Sequence, residues 1–505
     1  MGVKLAVIKR IYGIRMRQIE DRYRDPWQEQ ERIFRKLMLK GSRTSFGKEM
    51  GLEKDLSLEE YRRRVPPQPY EFYSPYVERM VKGEPSVLVP GKVRFFSLSS
   101  GTTVDHGNKY IPFTEGLWQN NRNASLDNLL FHVRRSNGDF GIFQGQMLFL
   151  GGTTNLFREM PGVYAGDLSA ILTKRIPFFF KGQYLPGDKI AQVENWEKKI
   201  ELIAAQVQGR DVRLISGIPS WLLVLFEAIR EVYGNPDATL KEMFPEFRLL
   251  ISGGVNVTPY VELFARVSGT GVDFAESYPS SEAFIAIQDA KRSTGLLLMT
   301  DYGVFYEFIP ADKLDEENPP RYTVAEVETG VNYAIVLTTP GGLYSYILGD
   351  TVRFISTDPL RLVVTGRTKH FLSAFGEHLI VEEAEQAIIS ACQLTGAEAK
   401  EFHAAPVFPQ STHELPYHEW LLEFITPPEN ADAFIREIDR SLCEQNDDYA
   451  AHRKDDSSLA LPKLTILREG SFYDFMKARG KLGGQNKVPR LKNDRAFADL
   501  IHELQ

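Results

Sequence analysis

Short apolar runs in this chain repeatedly end in glycine: 146–150 at Gly151-Gly152, 212–216 at Gly217, and 248–252 at Gly253-Gly254. Each reads as a strand that stops where bulky side chains stop. Helical patterns alternate with these runs. Residues 195–207 place Trp196, Ile200, Ile203 and Val207 on one stripe. Pro219 opens another helix, as its fixed φ allows at a first turn, and Gly234 ends it. A third helix is expected to start near Thr258-Pro259. Strand, glycine turn and helix in alternation predict an α/β domain whose ligand contacts lie at the carboxyl ends of strands.

Before this pattern, 26–65 reads as helical with a short capped helix at 56–61, and Pro66, Pro67 and Pro69 break it. A helix is expected over 74–82, and another, rich in Asn and Leu, over 114–135. From 295 to 354 the texture changes to strands and turns, with strands at 302–309 and 332–338 and an exposed acidic loop at 312–321. Beyond about 366 a smaller α+β unit is expected. It has a helix at 381–391, strands near 401–407 and 420–426, a helix at 431–444, a strand at 463–467 and a last helix from about 471. The predicted fold class is thus α/β, with a large N-terminal domain over 1–365 and a smaller mobile α+β domain over 366–505. The large domain is expected to hold mixed sheets and flanking helices.

A chain of 505 residues with 43% hydrophobic and 25% charged residues can build a sizeable core. Its two cysteines, Cys392 and Cys443, exclude a disulfide framework and fit a reducing, cytoplasmic setting. A net charge of −7 disfavours general nucleic-acid binding. No apolar run reaches the length of a spanning helix, so no integral membrane segment is expected. In 1–24, Leu5, Ile8, Ile11, Ile14 and Ile19 partly follow helical spacing among many basic residues, which reads as a surface helix packed on the body. The sequence assigns no oligomeric state.

The chemistry-bearing stretches come in a fixed order. The run 93–98 turns abruptly into Ser99, Ser100, Gly101, Thr102 and Thr103, with Lys109 following. Small, hydroxylated residues let backbone N–H groups approach an anion, and the hydroxyls add donors. The spelling is not that of a Walker loop. Next comes Glu276-Ser277-Tyr278-Pro279-Ser280-Ser281-Glu282. Its aromatic can stack on a base, and Glu282 can hold a hard divalent cation through oxygen. Tyr346-Ile347-Leu348-Gly349-Asp350 follows, where a carboxylate after a glycine turn at a strand end can accept the hydroxyls of a ribose. Gly366-Arg367-Thr368-Lys369 leads to Phe375-Gly376-Glu377 and an acidic helix start. Last is 481–490, where Lys487 sits in a glycine-flanked loop able to reach a developing negative charge. Taken singly, each is also an ordinary turn, capped helix start or solvated basic tail. His413 and His418 fall in a stretch that reads as a loop, and no metal-binding histidine spacing is evident.

Taken in order, these stretches resemble the plan of acyl-adenylate-forming enzymes. Tyr278-Pro279-Ser280-Ser281-Glu282 and Asn486-Lys487-Val488-Pro489-Arg490 resemble most closely the Gretchen Hagen family of acyl-acid–amido synthetases, which has bacterial relatives. The likeness spans 95–490. Two stretches depart from the wider superfamily. Lys109 follows a longer loop than usual, and Lys369 stands where a hinge aspartate is common.

The resemblance implies an ATP- and Mg²⁺-dependent ligase that activates a carboxylic acid as its adenylate and passes the acyl group to the amine of an amino acid. It implies that Ser99, Ser100, Gly101, Thr102 and Thr103 bind the β- and γ-phosphates, and that Tyr278 stacks on adenine in a pocket lined by Gly253 and Gly254. Ser281 would lie near the α-phosphate, Glu282 would bind Mg²⁺, Asp350 would hold the ribose hydroxyls, and Arg367 would assist. Lys487 would stabilise charge during adenylation, delivered by a small domain that rotates about 366–369. The acid pocket is expected partly from 114–135 and 216–226. Two alternatives stay open: a coenzyme A ligase sharing the adenylation step, and a non-catalytic nucleotide-binding protein.

Overall fold

The glycine-terminated runs form the parallel part of an eleven-stranded sheet. The computed structural model describes the chain apart from residues 1, 100–108, 152–154, 177–180, 194, 254–256, 258–259, 291–294, 368–370, 373–376, 378, 408–414, 447–448, 451–452, 454–458, 480–487, 493 and 504–505. Strands Gln146–Phe149, Val212–Gly217, Leu249–Gly253 and Asp273–Pro279 lie side by side and parallel. Parallel neighbours need a crossover between them. Helices Trp196–Val207, Pro219–Tyr233 and Val261–Ser268 stand in those connections.

Local chemistry explains their ends. Asn195 accepts the Lys198 N–H at 2.8 Å and starts the first of these helices. Pro219 occupies the first turn of the second, and Gly234 ends it in the left-handed region at φ 67°. After Asp273–Pro279 the sheet changes direction. Phe284–Ile287 pairs antiparallel with it, and Leu296–Leu298 pairs antiparallel with Phe284–Ile287. Phe305–Pro310, Asn332–Thr338, Tyr346–Thr357 and Leu360–Arg367 complete this half. These strands supply the 295–354 texture read from the sequence.

The serine- and threonine-rich stretch does not belong to this sheet. Phe95–Ser99 lies in a separate four-stranded sheet, antiparallel to Lys109–Phe113 with Ser99 opposite Lys109. Residues 100–108, outside the described residues, lie in sequence between these two strands.

Helical readings near the N-terminus need correcting. The region 26–65, read as helical, holds Pro26–Gly41, Ser45–Glu49 and Leu58–Arg64, each capped by the side chain before it: Asp25, Thr44 and Ser57; the last is the short capped helix expected at 56–61. The helix read as 74–82 starts earlier, at Tyr70. The N-terminal helix Gly2–Tyr23 buries Ile8, Met16 and Ile19 but leaves Ile11 and Ile14 exposed. Its inward face is set by a charge. Arg15 reaches Asp127 at 2.6 Å and Asp301 at 2.6 Å, and the Tyr302 hydroxyl donates to Asp127 at 2.7 Å. Arg321, read as part of an exposed loop, is also buried, and its guanidinium donates to the Val65 carbonyl at 3.1 Å.

The chain divides into two units. One is built mainly from Met1–Leu348 and Val352–Val363, the other from Gly349–Thr351, Val364–Leu482 and Asn486–Gln505. In the second, Glu398–Val407, Tyr417–Thr426 and Lys463–Ile466 form a three-stranded sheet. Helices Val381–Thr395 and Ala431–Gln445 contribute Ala387, Ile388, Phe434 and Ile438 to a core with Trp420 and Phe402. Leu421, Phe472 and Phe475 form another cluster with Ile501, which lies on Ala496–His502, a helix beyond the one expected to be last.

His418 is not a surface residue. It lies in a strand, is fully buried, and its Nε2 sits 2.8 Å from Glu377. His413 lies outside the described residues. His403 is buried too, its Nδ1 2.5 Å from the Pro489 carbonyl.

Arg15→Ala strands Asp127 without its cation and leaves Asp301 with Arg22 alone, and should cost about 3–5 kcal/mol in urea unfolding, which Arg15→Lys, lacking the planar fork, should not fully restore. Burial pushes the His403 imidazole down to about 4 from 6.5, so it stays neutral while the unfolded chain protonates. Its stabilisation is therefore complete above pH 6.5 and is lost as pH falls toward 4, by roughly 3 kcal/mol in all. Urea midpoints across that range should show a slope that His403→Asn reduces.

Candidate active site

The direction change in the large sheet builds the best-defined part of the site. Leaving Pro279, the chain must reverse at once, because the next strand runs back alongside. Ser280 makes the reversal. Its N–H and hydroxyl both donate to the Ala283 carbonyl, at 2.8 and 2.9 Å, and its Oγ accepts the Ala283 N–H at 3.1 Å. The capping serine of the ordinary-turn reading is present, and it closes a turn between strands. Ser281 and Glu282 occupy the middle of this turn and are largely buried.

The far side of the turn is clamped from another element. Asn120, on helix Glu115–Arg135, accepts the Phe284 N–H at 2.8 Å and donates to the Phe284 carbonyl at 3.2 Å. The Tyr346 hydroxyl donates to Glu282 Oε1 at 2.9 Å. Neither partner was singled out as such in the sequence. Asn120 had one available signal: an Asn-rich helix spends poor helix formers for some tertiary purpose.

Tyr278 sits on the last strand before the turn, largely buried, opposite Ala286. Its parallel neighbour ends at Gly253, which pairs with Ser277. A Cβ on Gly253 would lie 2.1 Å from the Ser277 carbonyl oxygen, so the close approach of the two strands demands glycine there. Gly254 lies outside the described residues.

Asp350 does not follow a strand end. It lies within Tyr346–Thr357, after Gly349 in the left-handed region at φ 89°, where an L-residue would be strained. Asp350 belongs to the second unit. Arg367, also in that unit, closes strand Leu360–Arg367 with its backbone, and the Thr365 hydroxyl donates to Thr351 Oγ1 at 2.9 Å.

Of the anion loop, Ser99 is placed by its backbone as the last residue of its strand. Ser100, Gly101, Thr102 and Thr103 lie outside the described residues, as does Lys487. What flanks them is well placed. Lys109 is buried, with its ammonium 5.4 Å from the centre of the Tyr70 ring. The Tyr70 hydroxyl accepts the Tyr110 N–H at 2.8 Å and donates to the Tyr110 carbonyl at 3.2 Å.

Beyond Lys487 the tail is not a solvated basic strand. Arg490 pairs with Glu385 and lies 3.3 Å from Glu401, its guanidinium over the Phe402 ring at 4.9 Å. Ala404 donates its N–H to the Arg490 carbonyl at 2.7 Å and accepts the Lys492 N–H at 3.1 Å.

Among the described residues no group of three or more His, Cys, Asp and Glu could cage a metal. The donor set nevertheless suits Mg²⁺ of the nucleotide-bound kind, which takes one or two carboxylates and completes its shell with phosphates and water. Glu282, on a clamped turn, is a carboxylate of that kind. Among the described residues no helix is long and apolar enough to cross a membrane.

Gly253→Ala should push the Tyr278 strand away from its neighbour. We expect a loss of about 1–3 kcal/mol in stability, read by urea unfolding, with weaker ATP binding by calorimetry.

Comparisons with known proteins bear on the family and the fold. Residues 15–188 match the GH3 family N-terminal domain, 297–367 the GH3 family central domain, and 382–496 the GH3 family C-terminal domain. An indole-3-acetic acid-amido synthetase, GH3.3 of Arabidopsis thaliana, is 22% identical over 96% of this chain and 93% of its own length. A jasmonoyl--L-amino acid synthetase, JAR6 of Nicotiana attenuata, is 22% identical over 94% of this chain and 92% of its own. The solved structure of the GH3.15 acyl acid amido synthetase in complex with 2,4-DB superposes with TM-score 0.79 at 17% identity, covering 97% of this chain and 95% of that one. A 2-hydroxyisobutyryl-CoA ligase with its acyl-AMP superposes with TM-score 0.57 at 14% identity, over 94% of this chain and 91% of the other. The N-terminal, central and C-terminal domains of one family thus follow one another along most of this sequence, and the chain belongs to the GH3 family.

Proposed function

We propose that this protein is an ATP-dependent acyl-acid–amido synthetase: it activates a carboxylic acid as the acyl-adenylate and transfers the acyl group to the amine of an amino acid. The observation that carries the reading is the family's complete domain order along the chain, with the Tyr278–Glu282 turn built at the carboxyl end of a sheet strand.

In the first half-reaction a carboxylate oxygen attacks the α-phosphorus of ATP, the bond to the bridging oxygen breaks, and pyrophosphate leaves. In the second, the amine attacks the acyl carbon, the C–O bond to AMP breaks, and the nitrogen loses its proton to solvent or base. No covalent enzyme intermediate is needed. The protein's task is to hold the reactants in line and offset charge.

Ser99, Ser100, Gly101, Thr102 and Thr103 bind the β- and γ-phosphates in this reading, Tyr278 stacks on adenine beside Gly253 and Gly254, and Ser281 lies at the α-phosphate. Asp350 takes the ribose hydroxyls with Arg367 assisting. Lys487 offsets the charge that develops as the carboxylate attacks. Mg²⁺, held by Glu282, would neutralise phosphate charge. Residues 1–365 serve as the adenylation domain and 366–505 as the small domain that brings Lys487. The two free cysteines, Cys392 and Cys443, fit a cytoplasmic setting.

Acid-dependent exchange of labelled pyrophosphate into ATP tests the first half, and mass analysis of products with amino acids or coenzyme A tests the second. An amide is expected. A thioester alone would make the protein a coenzyme A ligase, and ATP binding with no exchange across a broad acid panel would leave only nucleotide binding. Lys487→Ala should slow exchange about 100-fold while ATP still binds. Asp350→Ala should weaken ATP binding roughly 10- to 100-fold, read by calorimetry.

A further inference from the structure

The contact between Tyr346 and Glu282 ties two stretches that are 64 residues apart in sequence, and it is built as a support. Tyr346 is fully buried, and its hydroxyl donates to Glu282 Oε1 at 2.9 Å. Its backbone is pinned on both sides. The Gln68 N–H donates to the Ser345 carbonyl at 2.9 Å, and the Ile347 N–H donates to the Gln68 carbonyl at 2.9 Å. The Tyr73 ring meets the Tyr346 ring edge-on at 6.0 Å. Glu282 is equally constrained in its backbone by Ser280 on one side and Asn120 on the other.

A glutamate fixed only at its backbone would keep a broad terminal torsion. A donor on one carboxylate oxygen sets that torsion and aims the group. Carboxylates that meet metals are commonly oriented in this way by a neighbour that never touches the metal. We infer that Tyr346 is a positioning residue for Glu282, holding its carboxylate in the orientation in which it meets the divalent cation that accompanies ATP.

The inference rests on the proposed role of Glu282 and deepens it. The Gln68 contacts extend the support further. Two residues on, Tyr70 holds the Tyr110 backbone and stacks under Lys109 at the exit of the 100–108 stretch. The short segment 68–70 therefore braces both the carboxylate and the strand that leaves the phosphate loop.

Calorimetric binding of ATP to the full-length protein, with Mg²⁺ and again with EDTA, tests this without recourse to activity. Tyr346→Phe keeps the buried ring and its contact with Tyr73, and thermal melting verifies the fold. ATP affinity should fall about tenfold with Mg²⁺ and stay within about twofold in EDTA. Added to Glu282→Gln, Tyr346→Phe should have no further effect. Tyr333→Phe is the matched control, because its hydroxyl, on a buried ring, accepts the Glu328 N–H at 3.1 Å within the segment 328–333. Equal weakening in Mg²⁺ and EDTA, no change in Mg²⁺, or the same Mg²⁺-specific loss in Tyr333→Phe would each overturn the inference. Wild-type protein that shows Mg²⁺-dependent ATP binding but no acid-dependent exchange would instead remove the synthetase reading and leave this one standing.

Discussion

The strand Asp273–Pro279 has a parallel neighbour on one side and an antiparallel one on the other, and the site is organised by that mismatch. A parallel set of strands exits at one end of the sheet, where crossovers leave room for ligands. An antiparallel neighbour forces the chain to turn back there with no crossover at all. The turn at 280–283 is therefore short, internally hydrogen-bonded and locked at the carboxyl end of the parallel set. A carboxylate on such a turn has little backbone freedom left.

Buried polar groups do most of the specifying around this frame. Arg15 binds Asp127 and Asp301, Asn120 binds both backbone groups of Phe284, and Tyr346 binds Glu282. In the second unit, His418 meets Glu377, and Arg490 meets Glu385 and Glu401. Each would be costly to leave unpaired in a low-dielectric interior, so each selects one arrangement of elements over its neighbours. The anchoring of Pro489 and Arg490 has a functional corollary. A lysine expected to reach a distant charge is followed, three residues on, by a side chain tied into the core of its own unit.

Much of the fold was legible from pattern. The strands 212–217 and 332–338 and the helix from Pro219 to the residue before Gly234 follow from apolar runs, proline and glycine, which act locally. Reading failed where long-range pairing overrides local preference. The helical reading of 26–65 missed the break between Pro26–Gly41 and the Thr44-capped helix Ser45–Glu49. The apolar spacing of 5–19 pointed to Ile11 and Ile14, yet the inward face carries Arg15, because two buried aspartates await it. His418 reads as a loop residue, and only the strand pairing with 398–407 puts it inside.

By itself the sequence determined the family and the order of its chemical groups, since residue types at set intervals record the reaction's needs without reference to where they meet. It also determined most strands and helices, whose signals lie within a few residues. The tertiary structure alone decided that Phe95–Ser99 pairs with Lys109–Phe113 in a sheet of its own, that Asp350 lies within a strand after a left-handed Gly349, and that the Tyr346 hydroxyl meets Glu282. The physical reason is common to all three. Hydrogen bonds between strands and between buried side chains join positions far apart in the chain, and no local propensity encodes a partner's location.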